Sequence, residues 1–126
     1  MQTAPSRSPP QAPSATRLLL IETHSPWESG DVVDFLDLVR VLLGLGLSVH
    51  LHLIQNGVIW LRGSSVASLK ALGSEFAQQF QISSDDVSLD LRGMDPGLAR
   101  HVGSVWGIND FIGRMAEPDV KTIWHS

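Results

Sequence analysis

The residues of this chain with chemistry to offer sit at the ends of its apolar runs. His24 and Ser25 follow the run Leu18-Leu19-Leu20-Ile21, in the loop Thr23-His24-Ser25-Pro26-Trp27-Glu28-Ser29-Gly30. Acyl transfer needs a nucleophile, a base and an orienting acid, and an adjacent His and Ser supply at most two of these. No Gly-x-Ser-x-Gly elbow is present, and the chain has no cysteine. Its five histidines are therefore the only side chains that titrate near neutrality. A phosphate site would want a glycine-rich turn directly after the first strand. The loop is not one, although Ser29-Gly30 at a helix N-terminus would hold an anion weakly. Asn56 and Gly57 in Gln55-Asn56-Gly57-Val58, and Arg92 further on, are the other polar residues expected beside that loop.

His50 and His52 lie two apart, so on a strand they point to one face. That spacing can supply two metal ligands, but no third or fourth is near in sequence. Buried, hydrogen-bonded imidazoles are the expected role, and neither a metal nor a cofactor is assigned. Trp27, Trp60, Trp106 and Trp124 stand out in a chain with four Phe and no Tyr. Trp27 or Trp60 is read as an interface anchor, against the plainer role of filling core edges.

The elements that position these residues follow from periodicity. Leu18–Ile21 and Val49–Ile54 are apolar runs of strand type, joined by a helical pattern over Asp31–Leu43 and a Gly44-Leu45-Gly46 break. Strand, crossover helix, strand builds parallel sheets, whose working loops lie beyond the carboxyl ends of the strands. A ligand or partner is thus expected against His24–Gly30, Asn56–Trp60 and Arg92–Met94. In the first helix Asp34, Asp37 and Arg40 form one narrow polar stripe on an otherwise apolar cylinder. That surplus of apolar surface points to packing on another chain, or to cover by a neighbouring helix.

Val58–Leu61 is expected to extend or follow the second strand. Ser64 or Ser65 then caps a helix over Val66–Phe80, and Ser83-Ser84-Asp85-Asp86 is a turn. Val87–Leu91 alternates like a half-exposed strand. Asp95-Pro96 begins a short helix, Ile108–Met115 forms another, and Val120–Trp124 is a closing strand. The order β-α-β-α-β-α-β, with room for one more short strand, predicts a three-layer α/β sandwich on a small, mainly parallel sheet.

At 126 residues and 43% apolar content the chain can build one core. Residues 1–16, rich in Pro and Ser, are expected to be a disordered tail, leaving 17–126 as the single domain. The net charge of −4 and nine scattered Lys and Arg argue against a nucleic-acid partner. No run is long enough for a membrane helix or a secretory signal, so the expected location is the cytoplasm.

With those residues in view, the chain resembles the DsrE/DsrF/DsrH family, seen also in the TusB/TusC/TusD sulfur-relay proteins. The likeness covers most of Leu18–Ser126. It is carried by the opening strand with His24-Ser25-Pro26, by the strand ending Ile54-Gln55-Asn56-Gly57-Val58, and by the closing strand ending in Trp124. The resemblance implies a parallel α/β sandwich that assembles into homo- or hetero-oligomers. It also implies persulfide handling by a cysteine in the second half of the chain. Here that neighbourhood, Val87–Met94, reads Val-Ser-Leu-Asp-Leu-Arg-Gly-Met. Without a thiol the chain cannot carry sulfur covalently.

Two functions follow as expectations. One is a non-catalytic structural or regulatory subunit, with cysteine-bearing DsrE-like subunits as partners. The other is a small-ligand-binding or hydrolytic module lined by His24, Asn56 and Arg92.

Overall fold

In the computed structural model the described residues are 17–28 and 32–125. The expected tail and the Ser29-Gly30 pair lie outside them. Five strands, β1 (Arg17–Glu22), β2 (Ser48–Leu53), β3 (Phe80–Asp85), β4 (Ser104–Trp106) and β5 (Val120–His125), form one sheet in the order β4-β3-β2-β1-β5. All four pairings are parallel. The connections carry α1 (Val32–Gly44), a 3-10 segment (Gln55–Leu61), α2 (Gly63–Glu75), α3 (Asp86–Leu91), α4 (Pro96–Arg100) and α5 (Ile108–Met115). The result is an α/β sandwich on a parallel sheet, as expected from the sequence.

Period-two alternation sorts the side chains into two cores. Leu18, Leu20, Val49, Leu51, Leu53, Phe80 and Ile82 face α1, α2 and the 3-10 segment, meeting Phe35, Val39, Leu43, Trp60, Leu69 and Leu72. Leu19 and Ile21 face the other way, toward Trp106, Phe111 and Met115. Each fully buried side chain of this size contributes about 1.5–3 kcal/mol, so the larger first core dominates stability. The second face is covered by α5 alone, eight residues long, which leaves its amino half open. No described helix is long and apolar enough to cross a membrane.

The middle of the chain departs from the sequence expectation. Val58–Leu61 belongs to the 3-10 segment rather than to a strand. The helix expected to reach Phe80 ends at Glu75, and the supposed turn at Ser83–Asp86 is the end of β3 and the first residue of α3. Val87–Leu91, expected as a strand, lies in α3, where Asp85 is the N-cap and its carboxylate accepts from Ser88 N–H. The spare short strand is β4, three residues at the edge beside the end of β3.

Candidate functional site

The first four strands step outward in one direction, and β5 then returns to the far side of β1. The strand order thus reverses between β1 and β5, and ligands of open α/β sheets favour the crevice beyond such a point. Two residues meet there by strand register, since Glu22 ends β1 opposite His125 of β5. Glu22 is buried, at 1% exposure. His125 Nδ1–H donates to its Oε1 at 2.7 Å, and the backbone N–H of His24 donates to its Oε2 at 2.9 Å. The His24 ring nitrogen Nδ1 stands 4.0 Å from the same carboxylate. One buried carboxylate therefore sits against two histidines, a set that orients an imidazole as acid–base sites do.

Beneath it, the His125 ring lies 4.9 Å from Phe35, and Phe35 lies 5.4 Å from Trp60. Trp60 is in the core and not an exposed anchor: its indole N–H donates to the His24 carbonyl at 3.0 Å. Gly57 is buried too, held against the backbone of Glu22. Trp27 is exposed at this edge, at 67%. Ser25 is buried, and its hydroxyl accepts from Trp27 N–H at 3.3 Å.

A second network joins the three expected loops. Asn56 donates its amide to Glu28 Oε1 at 2.5 Å and accepts from Arg92 Nε and NH2 at 3.0 and 2.8 Å. Glu28 also accepts from Ser25 N–H at 2.8 Å, and that bond, followed by the one from Asn56, holds its carboxyl below the usual range. Arg92 NH1 donates to Ser88 O, so each of its three nitrogens has a partner. Gln55, the one non-glycine with positive φ among the described residues, donates its N–H to Ser88 Oγ at 2.7 Å. The structure thus brings His24, Ser25, Trp27, Asn56, Gly57, Trp60 and Arg92 to one edge. Arg92 is spent on Asn56 and Ser88, and an anion would have to displace them.

On the opposite face, His50 and His52 are buried as expected. Ser83 Oγ lies 2.7 Å from His50 Nε2 and 2.7 Å from His52 Nδ1. Arg114 NH1 lies 3.0 Å from His50 Nδ1. A guanidinium has only donors, so Nδ1 accepts from it, and the Gln81 amide, 3.2 Å from the same nitrogen, must turn its NH2 group toward it. Nε2–H of His50 then donates to Ser83 Oγ, and the hydroxyl donates onward to His52 Nδ1. Burial, reinforced by the Arg114 charge, pushes His50 down to about 3, and burial pushes His52 down to about 4. Both imidazoles are neutral, packed against Trp106 at 4.5 and 4.8 Å. The sequence showed this pair but not Arg114, 64 residues from His50. Nor did it show Glu22 and His125, 103 residues apart.

No protein-family model matches the chain, and no curated protein does. Solved structures do match. MTH1491 of Methanobacterium thermoautotrophicum, described as of unknown function, is 17% identical with a TM-score of 0.71 over 87% of this chain and 99% of its own. The ychN protein of E. coli is 16% identical with a TM-score of 0.63 over 86% and 99%. At such identities the likeness is one of fold: this chain shares with both proteins a parallel α/β sandwich spanning nearly their whole length.

Proposed function

We propose that the chain is a non-catalytic, thiol-free subunit of a DsrE-like oligomeric assembly linked to sulfur relay, acting in the cytoplasm beside cysteine-bearing subunits. The observation that carries this is the outer face of α1 and the turn after it. Phe35, Val39 and Leu43 already satisfy the inner face, yet Leu38, Val41 and Leu45 stand 46%, 58% and 72% exposed. They recur at three and four residues, so they line one side of the helix. Such stripes mark interfaces more often than free surface. The absence of cysteine supports the non-catalytic half of the proposal.

A sulfane-sulfur label separates carrier from scaffold. Incubated with a radiolabelled persulfide donor, the purified chain takes up no reductant-sensitive label, and a cysteine-bearing DsrE-like partner takes it up in its presence. Stable, reductant-sensitive labelling of the chain alone overturns the proposal.

A second use of the fold rests on Glu22. Its buried carboxylate orients His125 at the point where strand order reverses, which favours a small-ligand module at that edge. A ligand whose binding shifts the His24 and His125 ring resonances would support it.

A further inference from the structure

We propose that the cleft at the open edge of β3 binds a small organic anion, a carboxylate or phosphate ester with an apolar body, and that Arg114 is its anchor. The cleft exists because two elements are short. β4 pairs only with Ser83–Asp85, so Phe80–Ile82 has no strand beyond it. Helix α5 covers only part of its face. Between them opens a cavity of about 660 Å³, in the range of ligand pockets. A smaller one of about 180 Å³ adjoins it, and both are bordered by His50, Gln81 and Arg114.

Charge sets the class of ligand. The chain has 13 acidic residues against nine Lys and Arg, yet among the described residues no Asp or Glu lines either cavity. Lys70 and His101 border the larger one together with Arg114. Lys70 forms no ion pair with any described residue. A carboxylate-free lining in an acidic protein rejects cations and leaves donors for an anion.

Arg114 is held in place before any ligand arrives. Its Nε lies 2.9 Å from Glu117 Oε2, its NH1 donates to His50 Nδ1, and its guanidinium sits 5.2 Å over the Trp106 ring. Its NH2 makes no hydrogen bond to a described residue, so a terminal pair of donors remains for an oxygen ligand. Glu117 offsets much of the Arg114 charge, and attraction therefore depends on Lys70 and His101 as well. The neutrality of His50 fits this role, since its lone pair orients the guanidinium without adding a competing charge. Phe80, Ile82 and Val102 supply an apolar wall for the rest of the ligand.

The test is a titration of the full chain with phenyl phosphate, benzoate, inorganic phosphate and phenol, followed by amide and indole NMR. Saturable shifts at the Trp106 indole and the Gly73 and Gly103 amides are expected with phenyl phosphate, benzoate or both. Inorganic phosphate binds more weakly for lack of an apolar body, and phenol gives no shift there. Binding by only one of the two aromatic anions identifies the head group. Arg114→Gln weakens binding about tenfold or more. Lys70→Gln, on an exposed helix face where folding is not at stake, weakens it about threefold. The proposal is overturned if neither aromatic anion gives saturable shifts at these sites, if neither substitution changes affinity, or if the shifts centre on Asn56 and Gly57 instead.

Discussion

Gly57 rests directly on the backbone of Glu22: a Cβ at position 57 would stand 2.1 Å from the Glu22 carbonyl oxygen. The contact brings the 3-10 segment down onto the end of β1, where Ile54 N–H donates to the same carbonyl at 3.1 Å. Glycine is needed here for close approach, because φ at Gly57 is not among the positive values. Gly57→Ala is expected to destabilise the fold by about 1–3 kcal/mol, since a carbonyl on a central strand cannot move aside. Urea unfolding measures this, and an unchanged midpoint would refute the packing argument.

Ser83 and Ser84 are neighbours with opposite expected effects. Ser83 links two buried imidazoles, whereas Ser84 Oγ is buried with no hydrogen-bond partner among the described residues. Ser83→Ala strands a donor on His50 and an acceptor on His52, at a cost of about 1–3 kcal/mol. Ser84→Ala removes a hydroxyl that satisfies nothing and should be neutral or slightly stabilising. Equal losses at both sites would contradict the relay.

The two histidines also set a pH dependence. Folding holds them near 3 and 4, below the ordinary value of 6.5, so the unfolded chain binds more protons between those limits. Stability from these groups is complete above pH 6.5 and is lost as pH falls toward 4, by at most about 1.4 kcal/mol per pH unit for each. Denaturation at pH 7.5, 6 and 5 should show this decline, and His50→Gln should reduce it. A flat profile over that range would refute neutral burial.

The β2-β1-β5 side of the sheet was legible in the sequence and the β3-β4 side was not. β1, α1, β2, α5 and β5 announce themselves through long apolar runs or helical spacing. β3 ends in Ser-Ser-Asp, residues whose local signal is a turn, yet pairing on both sides keeps them extended. Val87 and Leu91 mimic strand alternation but are 59% and 76% exposed, and the capping carboxylate of Asp85 decides for a helix. The loops of the carboxyl edge could be placed because parallel topology dictates where they meet. The Glu22–His125 pair could not, since only register across β1 and β5 creates it.

The Leu38, Val41 and Leu45 stripe makes assembly testable by substitution. Leu38→Asp with Val41→Asp should leave the fold intact, because neither side chain belongs to the core, and should weaken self-association or partner binding about tenfold or more. Retained circular dichroism with unchanged assembly would place the interface elsewhere.

Sedimentation velocity of the chain at micromolar concentration, alone and co-expressed with a cysteine-bearing DsrE-like subunit, tests the central claim most directly. A defined oligomer, homomeric or mixed, that dissociates in the Leu38→Asp, Val41→Asp variant is the expected result. A stable monomer under both conditions would contradict it.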